Sequence, residues 1–221
     1  MCTTSEDPLL KVGLTGGIAS GKSVVGEMLV ARGARLIQAD HIAHELMQPG
    51  QPVYEEVVRH FGRSILNPDG TVNRPKLAEA AFSPNPSGDT RIGELNAIVH
   101  PAVIRREDDW MEAESRRDPR GIAVVEAALI LEAGAADRFD RLIVVTCSED
   151  QRVQRFAQRL KIEVEAARRE VVRRMSTQLP DSAKIRRADF VIDNSGSLDN
   201  TEAQVRELYA ALKQEAEQEP H

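Results

Sequence analysis

Residues 11–23 read Lys11-Val-Gly-Leu-Thr-Gly16-Gly-Ile-Ala-Ser-Gly21-Lys22-Ser23, a short apolar run that breaks at two glycines and closes on Gly-Lys-Ser. The run 11–15 predicts a buried strand. The text of 21–32 carries Val24, Val25, Met28 and Leu29 at helical spacing and predicts a helix that stops near Gly33. Between them, Gly16 to Ser23 matches G-x-x-x-x-G-K-[ST], in the strand–loop–helix setting this motif requires. Glycines let the backbone wrap closely round a phosphate chain and aim N–H groups inward. The start of the following helix adds its positive end. Gly16, Gly17, Ile18, Ala19, Ser20 and Gly21 are therefore the expected cradle. Lys22 is expected to reach β- and γ-phosphates, and the Ser23 hydroxyl to hold Mg²⁺. The motif implies a nucleoside triphosphate and Mg²⁺ and says nothing of the phosphate acceptor.

Outward from this stretch, strands are expected at 35–39, 121–125, 142–146 and 191–193. Helices are expected from about Asp40, where that residue suits an N-cap, and at 53–61, 75–82 and 91–116, the last interrupted at Pro101. Further helices are expected over 149–175 and 198–218. Asn67-Pro-Asp-Gly70 reads as a turn and 83–88 as a loop. Strands alternating with helices predict an α/β fold, a parallel sheet with helices on both faces. The stretch 53–117 has no strand and is expected to pack as a helical lobe.

The 221 residues suit one domain with a small appended lobe, and 41% hydrophobic with 29% charged residues exclude disordered and fibrous classes. No apolar run approaches the ~20 residues of a membrane span. The polar, acidic start (1–7) does not read as a secretory signal. Two cysteines, Cys2 and Cys147, exclude a disulfide scaffold and fit a reducing, cytoplasmic setting. The net charge is −6, which argues against a nucleic-acid binder. Of the 29 basic residues, 6 are Lys and 23 are Arg. They concentrate locally: 149–187 carries 11 Arg and Lys against 6 Asp and Glu, whereas 188–221 carries 2 against 8.

Neither an N-K-x-D base-reading segment nor an L-S-G-G-Q-like segment occurs, which argues against GTPase switches and transporter ATPases. A helical insertion and an Arg-rich helical stretch suit a small-molecule kinase with an acceptor lobe and a closing lid, which keeps water from the phosphate. A non-enzymatic ATP-binding module remains open at this level. Ordered segments covering about 12–212 begin with Leu14-Thr-Gly-Gly-Ile-Ala-Ser-Gly-Lys-Ser23, Ala39-Asp40-His-Ile-Ala43, Phe61-Gly62, and Asp69-Gly70 with Arg74 and Leu77. There follow Leu95-Asn-Ala-Ile-Val-His100-Pro101, Val124-Val-Glu-Ala-Ala-Leu-Ile-Leu-Glu132, Gln151-Arg-Val-Gln-Arg155, Gln178 and Ala188-Asp-Phe-Val-Ile-Asp-Asn194. In these segments the chain resembles the dephospho-coenzyme A kinase family.

The resemblance implies transfer of the γ-phosphate of ATP to the ribose 3′-hydroxyl of dephospho-CoA, in a chain expected to act as a monomer. It implies a nucleotide-binding core over 9–52, 118–148 and 188–221, an acceptor lobe over 53–117 and a lid over 149–187. A ribose hydroxyl is a poor nucleophile and needs a carboxylate to accept its proton or orient it, and Asp40 matches that position. The family's Asp-x-Asp is Gln38-Ala-Asp40 here, so the first carboxylate is missing. Arg155 and Arg159, four apart on a helix, suit phosphate oxygens because guanidinium stays charged and binds in a bidentate way. Arg152, Arg168, Arg169, Arg173 and Arg174 read as surface charges. Glu126 ends a strand where the family keeps a metal-linked carboxylate. This chain has Glu for the usual Asp, and Ala128 for a proline two residues on. Arg74 and His100 are candidate acceptor contacts, and Asn194 falls in a candidate loop against adenine. Cys147 reads as a core residue.

Overall fold

The strand expected at 11–15 is the centre of a five-stranded sheet in a computed structural model of the chain, which describes residues 9–83 and 90–218. The acidic start with Cys2, and all of the expected 83–88 loop except Ser83, lie outside the described residues. The elements are β1 (Leu10–Gly16), α1 (Lys22–Val30), β2 (Arg35–Gln38), α2 (Ala39–Leu46), α3 (Pro52–Phe61), α4 (Arg74–Phe82), α5 (Ile92–Arg117), β3 (Ile122–Glu126) and β4 (Arg141–Thr146). After them come α6 (Glu149–Leu160), α7 (Val164–Met175), α8 (Asp181–Ile185), β5 (Phe190–Asp193) and α9 (Leu198–Glu217). The strand order is β2-β3-β1-β4-β5, and β1 pairs in parallel with β3 and β4, as β4 does with β5.

Central strands of a parallel sheet are buried on both faces, which is why β1, β3 and β4 read as continuous apolar runs. The two-residue alternation still sorts their side chains. Ile143 and Val145 of β4 join Val12, Leu14, Val25, Leu29, Val205, Leu208 and Leu212 in the core shared with α1 and α9. Leu142 and Val144 face the other way, against Ile130, Leu131, Phe139 and Leu179. Each fully buried Val or Leu contributes roughly 1.5–3 kcal/mol relative to exposure, so these two clusters are what hold the helices and loops against the two faces of the sheet.

The chain forms two compact units, 1–37 with 111–221, and 38–110. The second holds α2 to α4 and the first part of α5. Asn73 caps α4 by accepting from the Lys76 N–H at 3.0 Å, and Tyr54 donates to Gly70 O at 2.6 Å, which ties α3 to the turn at 67–70. His60 and Arg91 both meet Glu94, at 2.6 and 2.9 Å, and hold its carboxyl below the usual carboxylate range.

Three expectations need correction. Helix α5 runs through Pro101 without the expected interruption. Pro101 and Ala97, whose carbonyl loses its donor, are both exposed, while Val99 and Val103 are buried. Water can take the freed carbonyl, and packing of the inner face outweighs the lost bond. The helix expected over 149–175 is a hairpin: Lys161 takes a left-handed conformation (φ 53°) and ends α6, and α7 starts after Glu163. The Arg-rich text conceals an apolar seam, because Val153, Phe156 and Ala157 of α6 pack on Ala167 and Val171 of α7. Finally, Asp40 is not an N-cap. Gln38 stands at the cap of α2 and Asp40 lies inside its first turn.

Candidate active site

The connection from β1 leads past β3 to β2, whereas that from β4 leads outward to β5. The two connections leave the carboxyl ends of β1 and β4 in opposite directions, and in open α/β sheets ligands bind where that happens. The loop 16–21 occupies this position.

The loop's carbonyls are all engaged. Lys22 Nζ donates to Gly16 O at 3.0 Å and Gly17 O at 3.3 Å, and Gly17 O also accepts from Ser20 N. Ile18 O accepts from Arg152 Nη1 at 3.5 Å, and Ala19 O from the Cys147 thiol at 3.7 Å. Ser20 O accepts from Asn194 Nδ2 at 2.8 Å and Arg155 Nη1 at 3.2 Å. In a planar trans peptide the N–H points opposite to the preceding carbonyl. Holding these carbonyls on donors therefore turns the N–H groups of Ile18, Ala19 and Gly21 the other way, as an anion cradle needs. Gly21 has φ 96°, and a Cβ there would overlap the Asn194 amide. Only glycine suits both demands. The Ser20 hydroxyl is fully buried and has no hydrogen-bond partner among the described residues.

Ser23, in the first turn of α1, donates to Glu126 Oε1 at 2.8 Å. Glu126 is the last residue of β3, and β3 lies beside β1, which brings the two together. The sequence assigned both to Mg²⁺. Among the described residues no group of three or more His, Cys, Asp and Glu could hold a metal ion by itself. Two hard oxygens in contact fit Mg²⁺, which rarely takes an all-protein cage and usually keeps waters and substrate phosphate oxygens as its other ligands. The turn after β3 carries Ala128, and Thr15 ties it by donating to Ala128 O at 3.3 Å.

Arg155 also donates to Asn194 O at 2.9 Å, so α6 and the end of β5 meet on the loop. The Asn194 side chain is 2% exposed, and its oxygen accepts from Thr201. Its amide thus serves the loop rather than an open face. Arg159 is exposed, its guanidinium 5.4 Å from the Phe156 ring centre. Arg152 corrects the sequence reading: it is 1% exposed and is the largest fully buried side chain. The signal that would have found it, an acidic partner at Asp181, lies 29 residues away and on another helix. Glu132, which the sequence left without a role, accepts from the Leu179 N–H at 3.0 Å and pairs at 2.8 Å with Lys184, a fully buried lysine.

Cys147 is buried as expected, and desolvation pushes its thiol above the usual value despite the opposing charges of Arg152 and Arg155. Because the thiolate is the reactive form, Cys147 in a Cys2→Ser variant is expected to react with a thiol reagent at pH 8 far more slowly before unfolding than after. Equal rates would contradict the burial.

The other three sequence candidates belong to the second unit. Asp40 is exposed in the first turn of α2, the second residue after β2. Arg74 is exposed at the start of α4. His100 is half-buried within α5, and burial lowers its pKa below the usual 6.5, which favours the neutral ring.

A family model described as dephospho-CoA kinase matches residues 10–200. A dephospho-CoA kinase from Corynebacterium efficiens is 41% identical over 204 residues, 92% of this chain and 98% of that one. One from Leifsonia xyli subsp. xyli is 38% identical over 91% of this chain and 98% of its own. Among solved structures, a Thermus thermophilus protein superposes with a TM-score of 0.75 at 31% identity, covering 93% of this chain and 98% of that one. A Campylobacter jejuni dephospho-CoA kinase gives 0.65 at 23% identity, with the same coverage, and speaks for the fold alone.

Proposed function

The chain belongs to the dephospho-CoA kinase family, and from that premise we propose how its residues divide the work of moving the γ-phosphate of ATP to the ribose 3′-hydroxyl of dephospho-CoA, which yields coenzyme A and ADP as the last step of coenzyme A synthesis. The observation that carries the proposal is the loop 16–21, whose carbonyls are held by donors, which turns the amides of Ile18, Ala19 and Gly21 toward where the ATP phosphates would lie. Phosphoryl transfer asks little covalent chemistry of the protein and is catalysed mainly by positioning and charge. Lys22 then leaves its loop carbonyls to neutralise charge on the β- and γ-phosphates. Ser23 and Glu126 would hold Mg²⁺, directly or through water. When bound, that ion shields the phosphate charge and orients the chain of oxygens.

Arg155 lies against the loop at Ser20 and has a guanidinium suited to the charge that develops on the transferred group. Arg159, one turn further along α6, contributes positive field from the exposed face. Asn194 belongs to the loop that faces adenine, and its amide steadies the phosphate loop at Ser20. Asp40 accepts or orients the proton of the attacking hydroxyl, and it must do so alone because Gln38 cannot share it. Arg74 and the neutral His100 serve the acceptor. In this scheme 53–117 is the acceptor lobe, and the α6–α7 hairpin with α8 is the lid over 149–187. A monomer is the assembly this reading favours, and nothing in it calls on a second chain. Its setting is a reducing cytoplasm, in keeping with an unpaired Cys147. Among the described residues no helix is long and apolar enough to cross a membrane.

The test is a coupled assay of purified protein with ATP, Mg²⁺ and dephospho-CoA. Turnover of adenosine or a nucleoside monophosphate, with none of dephospho-CoA, would overturn the proposal. Within it, Arg155→Ala is expected to lower kcat on the order of 10²-fold, with a smaller rise in the KM for ATP, because the contact strengthens in the transition state. An unchanged kcat returns Arg155 to a purely structural role.

A further inference from the structure

We infer that Arg152 is a positioning residue for the phosphate loop, kept at that task by Asp181. The inference rests on the reading above only in taking 16–21 as the site of the ATP phosphates.

A charged side chain is almost never fully buried unless it is paired, and leaving water costs it several kcal/mol that only good partners offset. Arg152 has three, on three different parts of the first unit. Nε donates to Cys147 O at 3.2 Å, just past the end of β4. Nη1 donates to Ile18 O in the loop. Nη2 forms an ion pair with Asp181, the first residue of α8. The guanidinium is thus a flat three-way connector between sheet, loop and α8, a shape that lysine cannot reproduce.

Its placement against the loop is close. A methyl group on Gly17 would overlap Nη1 and would lie 3.4 Å from Asp181 Oδ1. Lys22 holds the carbonyls of Gly16 and Gly17, and Arg152 holds the next one, at Ile18. If the Ile18 carbonyl loses its donor, the peptide between Ile18 and Ala19 can rotate, and the Ala19 N–H no longer points into the cradle. Arg152 therefore acts on ATP through the loop, with no need to touch the nucleotide.

Charge and position predict opposite signs when Asp181 is neutralised. By charge alone, removing a carboxylate beside a phosphate site tightens ATP. By position, it leaves the Arg152 guanidinium buried without a counter-charge; the side chain moves toward water, Ile18 is released, and ATP weakens. Asp181 has a partly exposed side chain (30%), so Asp181→Asn is compatible with folding, which circular dichroism checks.

The experiment measures ATP affinity by calorimetry without acceptor, and then the KM for each substrate, on the full-length protein. Losing a charge-assisted hydrogen bond is worth about tenfold in ATP Kd and KM for Asp181→Asn, while the KM for dephospho-CoA stays within about twofold. Asp181→Glu should recover ATP affinity to within about threefold of the parent, because it restores the counter-charge. Arg152→Lys is expected to weaken ATP in the same direction. ATP affinity in Asp181→Asn that is unchanged or tighter overturns the inference, as does a parallel loss of both substrates. If the parent protein binds ATP but transfers nothing to dephospho-CoA, the kinase assignment fails and the ATP result still decides this one.

Discussion

Exchange of Lys22 for alanine is expected to lower kcat by about 10²–10³-fold, the cost of removing one preorganised charge from a developing transition state. The ammonium now rests on the carbonyls of Gly16 and Gly17 at 3.0 and 3.3 Å. Those bonds place it over the loop in advance, so that meeting the phosphates requires only a change of partner. The loop does not depend on Lys22 alone, since Arg152, Arg155, Asn194 and Cys147 engage Ile18, Ser20 and Ala19. ATP affinity should therefore fall much less than kcat. Lys22→Arg is not expected to rescue, because a planar fork cannot replace a compact ammonium among closely spaced oxygens. Single-turnover rates at saturating ATP measure the effect. A kcat within threefold of the parent would remove Lys22 from the chemistry.

Asp40→Asn is expected to lower kcat by roughly 10²–10⁴-fold, the usual contribution of a positioned proton acceptor. The amide keeps the size of the carboxylate and can still accept a hydrogen bond, but it takes no proton from a ribose hydroxyl. With Gln38 two residues back, no neighbouring carboxylate there can substitute, so the loss should lie toward the upper part of that range. The KM for ATP should stay within twofold, because the role concerns the acceptor. Steady-state kinetics with dephospho-CoA as the varied substrate checks both. Near-parental kcat would reassign Asp40 to simple helix-terminal polarity.

The parts of the molecule that depend on neighbours in the chain were legible in the amino-acid text. The strand at 10–16, its glycine loop and the helix from Lys22 follow from an apolar run, two glycines and a helical spacing that lie side by side. The contact of Ser23 with Glu126 was foreseeable for a related reason, since each follows or ends a strand of the same sheet. What failed were judgements that tertiary contacts overrule. Pro101 reads as a break until one sees that its face of the helix is exposed. Lys161 gives no glycine signal for the left-handed turn that separates α6 from α7. Arg152 looks like one cation among many in a basic stretch, and only α8, folded back against the loop, explains why it is buried.

Ile18 has a second consequence. Its side chain sits in the apolar seam of the α6–α7 hairpin, with Val153, Phe156, Ala157, Ala167 and Val171. A residue of the phosphate loop thus belongs to the core of another motif, and neither can open alone without exposing that seam. Proteins unfold locally in cooperative blocks drawn from such shared contacts. Loop and hairpin form one block in that sense, and their backbone amides should exchange with solvent deuterium at a common rate. Occupation of the loop should then slow exchange well beyond the residues that touch the phosphates, out to Val171 on the far helix of the pair.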